Sequence, residues 1–390
     1  MLLTIIVIII FIVFLAILII DVRKQRITLV GGKIKTPLMR VIFELSKDVE
    51  KKEIKNETWD VYDSNALDHY MCISKLYDTN KTFSDHYNRI MHILHPFDDI
   101  KNNIKSNLVS GRPKITNAFM KQYEFLLWLD ENDYLKNLIN DNTLKMFDIA
   151  SPPGMFIFAT ETYLRENYQG VTLDWSTSIF NEGDYNIDPK MDEFELFRCN
   201  NENVVVMNLL DKDDVINVIQ NYSNRFDLVT GDVGVERRDY YELMELTTYP
   251  LEYSQAVVAI NLTREGGVCF LKMFTCITYD TLDILELLNK YFEKVYICKP
   301  YTSRLLNEES YIIGIHRNNL KYVKEERVKY YNNINKSIVE RFEKARNNIK
   351  SDMLSEVLKI MSKNKKLKYS KKYNKYVDEV RPLMRVLERL

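Results

Sequence analysis

The feature that most constrains this chain is an alternation in sequence order. Short apolar runs rich in β-branched residues are followed by longer stretches whose apolar residues recur with helical spacing. LKMFDIA (144–150) precedes a helical pattern from Met155, VTLDWS (171–176) follows, and VVVMNLL (204–210) leads into DKDDVINVIQNY (211–222). FDLVTGD (226–232) leads into a long helical stretch to Asn261, GVCFLKMF (267–274) into DTLDILELLNKYF (280–292), and KVYICKP (294–300) and SYIIGIH (310–316) close the series. Such alternation predicts an α/β fold in which a largely parallel sheet is covered by helices on both faces. The last two runs lie too close together for a crossover helix and are expected to pair antiparallel. Ahead of the series, 116–135 reads as a helix with Thr116 as its cap and Lys121 among Phe119, Met120, Tyr123 and Phe125.

In an open parallel sheet, ligands bind beyond the carboxyl ends of the strands, so residues just after each run are the candidates for chemistry. That rule selects DIASPPG after the first core strand, GDVGVE after FDLVT, Lys272 inside GVCFLKMF, and Glu309 ahead of the final strand. Neither a GxGxxG nor a GxxxxGK[ST] motif occurs, which disfavours nicotinamide enzymes and P-loop ATPases. The five cysteines form no CxxC pair, and His86, His92 and His95 lack partners for a closed ligand set, so no metal site is expected.

Taken together, GRPKITNAFMKQYEFL, FDIASPPGMF, FDLVTGDVGVE, GGVCFLKMF and KPYTSRLLNEESYIIG resemble, in content and order, the FtsJ-like RNA 2′-O-methyltransferases. The likeness is nearest to the branch that methylates cap-proximal nucleotides of mRNA, including enzymes of large cytoplasmic DNA viruses, and spans about 111–316. It implies a Rossmann-like seven-stranded sheet with an antiparallel last strand, S-adenosylmethionine as cofactor, and RNA, in particular capped mRNA, as partner, with other capping factors as further partners.

By motif position the resemblance makes Lys121, Asp232, Lys272 and Glu309 the catalytic residues. A ribose hydroxyl is a poor nucleophile at neutral pH, and a lysine removes its proton only as the free amine, which burial and a neighbouring cation favour. Lys272 is assigned as that base, Asp232 and Lys121 as the groups that tune and align it, and Glu309 as the supporting carboxylate. Candidate cofactor contacts are Asp148, Ala150, Ser151, Gly154, Asp174 and Asn208, and candidate RNA contacts are Lys299 and Arg304. The chain departs from the family at Pro152 and Met155, where glycines are usual, and at Asn208, where an aspartate is usual. Those departures motivate one alternative, an inactive methyltransferase-fold subunit that binds RNA or acts as a scaffold.

Three further segments complete the expected organisation. Met1–Ile20 is apolar apart from Thr4 and ends at Asp21, Arg23, Lys24 and Arg26. It has the length and flank of an uncleaved anchor that leaves the rest of the chain facing the cytosol. Residues 21–110 read as an N-terminal extension, 111–318 as the catalytic domain, and 319–390 as a basic helical tail. The stretch Arg317–Lys375 carries 18 Lys/Arg against 6 Asp/Glu, although the whole chain has a net charge of only −1. A run of this kind is first of all a solvated helix face and secondarily a surface for phosphates.

Overall fold

The computed structural model describes residues 36–47, 51–53, 90–92, 94–101, 115–150, 154–180, 201–234, 244–320, 330–361 and 370–390. In chain order the strands are β1 (Val41–Glu44), β2 (Lys51–Glu53), β3 (Thr143–Ile149), β4 (Thr172–Ile179), β5 (Val204–Val206), β6 (Phe226–Gly231), β7 (Thr263–Met273), β8 (Phe292–Lys299), β9 (Ser310–Arg317) and β10 (Tyr330–Asn332). The helices are α1 (Asn117–Glu131), α2 (Leu135–Leu138), α3 (Met155–Asn167), α4 (Lys212–Tyr222), α5 (Met244–Leu262), α6 (Tyr279–Tyr291), α7 (Asn333–Met361) and α8 (Lys371–Glu388).

Local chemistry sets several of these ends. Thr116 Oγ1 accepts the Ala118 N–H at 3.2 Å and caps α1, as its sequence predicts. Asp211 caps α4 by accepting the N–H groups of Asp213 and Asp214. Gly154, at φ 78°, turns the chain into α3 through the left-handed region that glycine enters without steric cost.

One eight-stranded sheet has the order β1-β8-β9-β7-β6-β3-β4-β5. The five strands from β7 to β5 run parallel, and β9 lies antiparallel between β7 and β8. The expected antiparallel last strand is therefore present. The eighth strand is β1, from the N-terminal extension, paired antiparallel with β8 in the register Val41↔Lys299. Strand order reverses between β3 and β6, so their carboxyl ends, at Ile149 and Gly231, flank the crevice where an open sheet binds ligands.

Side-chain alternation along each strand divides the core in two. Met146, Leu228, Phe270 and Ile313 face the layer of α1, α3 and α8. Phe147, Val229, Leu271 and Ile312 face the layer built with α4, α5, α6 and α7.

Leu38–Leu390 form one compact unit. The two helices of the tail, α7 and α8, pack into this unit. The physical reason is apolar spacing: Ile338, Val339 and Phe342 put one stripe of α7 into one core layer, while Tyr376, Val380, Leu383 and Leu387 put α8 into the other. The expected anchor, residues 1–20, lies outside the described residues. Among the described residues no helix is long and apolar enough to cross a membrane.

Candidate active site

Register and alternation bring the first two polar groups together. Lys272 on β7 is paired with Tyr311 on β9, so both side chains emerge on the sheet face covered by α1. Beneath them runs an aromatic stack, with Phe125 of α1 on Phe270 at 4.1 Å between centroids and Phe270 on Tyr311 at 4.6 Å. Lys121 lies one turn before Phe125 on the same helix stripe, and the stack holds its amine over the Tyr311 ring, 5.4 Å from the centroid. Asp232 arrives one residue beyond the end of β6, at the switch point.

The resulting cluster is continuous. Lys121 donates to Glu309 Oε1 and, at 2.8 Å, to the Tyr311 hydroxyl, which in turn donates to Asp232 Oδ1 at 2.8 Å. The same Oδ1 lies 3.3 Å from Lys272 Nζ and 4.0 Å from Lys121 Nζ. Lys272 also donates to the Asp232 carbonyl at 2.9 Å. All four residues assigned from the motifs thus meet. The cluster opens at Asp232, whose side chain is 25% exposed against 7% for Lys121.

Electrostatics fixes the state of the Lys121–Glu309 pair. Burial pulls the Lys121 amine downward, but the charges of Asp232 and Glu309 outweigh it and raise Lys121 above the ordinary lysine range. Burial pushes Glu309 upward, while Lys121, Lys299 and Lys272 together drive it far below the ordinary carboxylate range. Lys121 and Glu309 are consequently a fixed ion pair, which leaves Lys121 a cation that shares Asp232 Oδ1 with Lys272.

Several supporting groups had no role assigned from the motifs. Ser303 Oγ donates to Glu309 Oε2 at 3.0 Å, and Asn307 Nδ2 donates to the same oxygen. Gln255 of α5 donates to the Lys272 carbonyl at 3.0 Å and accepts from the Val233 N–H at 3.3 Å, tying β7 to the loop that carries Asp232. Glu124, fully buried on α1, accepts from the N–H groups of Met39, Tyr301 and Thr302 and from the Thr302 hydroxyl, all within 2.9 Å. It fastens the 300–309 loop to the helix that bears Lys121. Tyr311 was legible as a motif position, but its hydroxyl bridge depends on β9 inserting beside β7.

The expected RNA contacts separate. Lys299 is 1% exposed and donates to the carbonyls of Asn307 and Glu309 at 3.1 and 2.6 Å. It is a buried brace for the Glu309 loop and not a surface for phosphate, because its amine is consumed by backbone carbonyls. Arg304 keeps 27% of its side chain exposed, lies 3.8 Å from Asp98, and is close enough to lower Lys121 electrostatically.

On the cofactor side, Ala150 (φ 53°) and Gly154 lie at the carboxyl end of β3, with the Ala150 N–H donated to Ser178 Oγ at 3.0 Å. Ser151 lies outside the described residues. Asp148 is 2% exposed and its Oδ1 accepts from Thr230 at 2.6 Å, so this carboxylate braces β3 against β6. Asn208 follows β5, but its Oδ1 accepts the Leu210 N–H, leaving the amide NH2 as what it offers a ligand. Asp174 is not brought to this edge. It is the third residue of β4, paired with Lys145, five residues short of the strand's carboxyl end. Near Asn208, Phe180 is 50% exposed and presents a flat apolar face that no motif marked.

These residues fit a cofactor with a carboxylate at one end and an aromatic base at the other. The N-terminus of α3, with Gly154 at its cap and no side-chain cap, suits the carboxylate, and Phe180 after β4 and Asn208 after β5 lie one and two strands away for the base.

Comparison with known proteins agrees with this geometry. Residues 126–317 match the family model described as FtsJ-like methyltransferase. The chain is 28% identical over 231 residues to "Probable methyltransferase EP424R" of African swine fever virus, an alignment covering 55% of this chain and 52% of that protein. It is 25% identical over 232 residues to the cap-specific mRNA (nucleoside-2′-O-)-methyltransferase 2 of Drosophila melanogaster, covering 56% of this chain and 31% of that protein. It is 27% identical over 146 residues to the ribosomal RNA large subunit methyltransferase E of Methanocaldococcus jannaschii, covering 37% and 56%. The chain thus spans about half the length of the viral relative and under a third of the fly protein.

Proposed function

We propose that this chain, whose residues 126–317 are an FtsJ-like methyltransferase region, methylates an RNA ribose 2′-hydroxyl at the cap-proximal nucleotide of mRNA. FtsJ-like methyltransferases use S-adenosylmethionine, which supplies the methyl group on a sulfonium centre. The observation that carries the reading is the sharing of Asp232 Oδ1 among Lys272, Tyr311 and Lys121 at the crevice of the sheet.

In this reading the N-terminus of α3, Ala150, Gly154, Phe180 and Asn208 hold the cofactor. Lys272 Nζ takes the proton from the ribose hydroxyl, and Asp232 holds that amine in place through its carboxylate and its carbonyl. The Lys121–Glu309 pair remains charged and fixes Tyr311, whose hydroxyl bond orients Asp232. Arg304 lies at the mouth for a phosphate of the RNA chain. Support for a capped substrate comes from the likeness to cap-specific enzymes. The complete cluster argues against the inactive-scaffold alternative, which has no use for two lysines on one carboxylate.

The test is transfer of a labelled methyl group by the full chain to capped RNA, uncapped RNA and capped RNA with a 2′-deoxy first nucleotide, beside Lys272→Ala. Transfer restricted to the capped ribonucleotide and lost in Lys272→Ala is expected. No transfer to any RNA, together with no cofactor binding by calorimetry, overturns the reading. The apolar segment 1–20 is further proposed as a tether that keeps the catalytic region in the cytosol. Release of the chain from membranes by alkaline carbonate would contradict that.

A further inference from the structure

The tail helix α7 reaches the catalytic cluster through one carboxylate. Arg346 and Lys350 stand one turn apart on α7 and project from the same stripe. Arg346 Nη1 donates to the Glu308 carbonyl at 2.8 Å, its Nη2 lies 3.0 Å from Glu308 Oε2, and Lys350 Nζ donates to Glu308 Oε1. Burial of these side chains is deep, at 4% exposure for Arg346, 2% for Lys350 and 12% for Glu308. Burial raises the Glu308 carboxyl, but Lys350 and Arg346 overcome it and bring it down to about 2, so the contact is ionic at any working pH. Arg346 also holds Glu343 at 2.5 Å, and Glu343 accepts the Cys276 N–H at 3.2 Å, which ties α7 to the segment after β7.

Glu308 immediately precedes Glu309. The two side chains leave the same short stretch toward different partners, Glu308 to α7 and Glu309 to Lys121, Ser303 and Asn307. On the other side, Ser310 Oγ donates to the Phe274 carbonyl at 2.5 Å. The peptide carrying Glu309 is therefore pinned before and after, and the pin before it comes from outside the region matched by the family model.

We propose that Arg346 and Lys350 are positioning residues for methyl transfer, holding Glu308 against α7 and thereby setting Glu309 against Lys121. The inference rests on the methyl-transfer reading above and assigns part of the basic tail a role other than following RNA. A guanidinium is suited to it, because its planar fork directs two N–H donors in fixed directions, Nη1 to the Glu308 carbonyl and Nη2 to its carboxylate.

The experiment uses the full chain and the variants Glu308→Gln, Arg346→Lys and Lys350→Met. Three quantities are measured: kcat and KM for RNA, cofactor affinity by calorimetry, and the rate at which acetic anhydride acetylates the Lys121 amine, read by peptide mass spectrometry. A kcat lower by roughly tenfold or more is expected from loss of alignment, with KM and cofactor affinity within about twofold of wild type. Lys121 is expected to acetylate several times faster as Glu309 loosens. A kcat and a Lys121 labelling rate both unchanged in folded variants would overturn the proposal, as would a loss residing wholly in KM for RNA. If Arg346→Lys gives no cooperative melt, the isosteric Glu308→Gln carries the same readings. If wild type methylates no RNA, the functional reading fails, and Lys121 labelling alone decides whether α7 sets Glu309.

Discussion

The Tyr311 hydroxyl donates to Asp232 Oδ1 at 2.8 Å while accepting from Lys121 at 2.8 Å, so it is a neutral group joining the fixed ion pair to the carboxylate that holds Lys272. Burial, with the charges of Asp232 and Glu309, raises this phenol well above its ordinary range, and it stays a donor throughout the working pH range. Tyr311→Phe keeps the stack on Phe270 and deletes only the bridge. Methyl transfer should fall roughly ten- to a hundredfold, with about 1 kcal/mol of stability lost. Kinetics within twofold of wild type would show that Asp232 needs no such orientation.

Gly234 makes a separate test of the base. A Cβ there would stand 2.8 Å from Lys272 Nζ, and the colliding atom is the mobile end of a side chain. Gly234→Ala should therefore leave the melting temperature nearly unchanged, because the lysine tip can give way, while displacing the amine from Asp232. Activity lower by roughly two orders of magnitude is expected. An active Gly234→Ala enzyme would mean the amine acts from another position.

The Glu124 carboxylate receives four hydrogen bonds from Met39, Tyr301 and Thr302 in a fully buried setting. Glu124→Gln turns an NH2 group toward N–H donors and leaves at least one of them unsatisfied, at a cost of about 1–3 kcal/mol. The melt should shift down, and proteolysis within 300–309 should speed up. An unshifted melt would remove Glu124 as the fastener of that loop.

The pH dependence of stability should be visible at Glu252, which accepts from Thr248 and Phe274 behind the active site. Burial first, then the charge of Glu245, pushes its carboxyl up to about 8 from 4.5. The folded state holds this proton where the unfolded chain has released it, so this residue's contribution to stability declines as pH rises from 4.5 to about 8. Glu252→Gln mimics the protonated form and should lose that part of the decline. Its melting temperature is expected to gain on wild type by on the order of 2–5 °C between pH 5 and pH 8.5. Parallel melting curves for the two proteins across that range would contradict the assignment.

Much of the molecule was legible before its structure. Apolar period two and helical spacing are local properties, so α1 with its Thr116 cap, the β3–α3 turn at Gly154 and the β7, β8 and β9 runs could be read along the chain. The position of Asp232 beyond β6 followed from the same pattern, and the motif resemblance supplied Lys121, Lys272 and Glu309.

Tertiary structure decided what those local rules do not contain. Lys272 and Tyr311 share a face because β9 inserts in one particular register beside β7, and pairing register is a relation between segments. Lys299 and Arg304 look alike in sequence, yet one is buried against carbonyls and the other opens to solvent, since burial depends on what packs above each. Asp174 belongs to a recognisable strand, but its distance from the ligand edge depends on how far β4 continues past it. The basic tail reads as one solvated run, whereas Arg346 and Lys350 are buried against Glu308 because the apolar stripe of α7 draws that face into the core. Sequence period specified which residues could face inward, and the packing of distant segments specified which charges would meet.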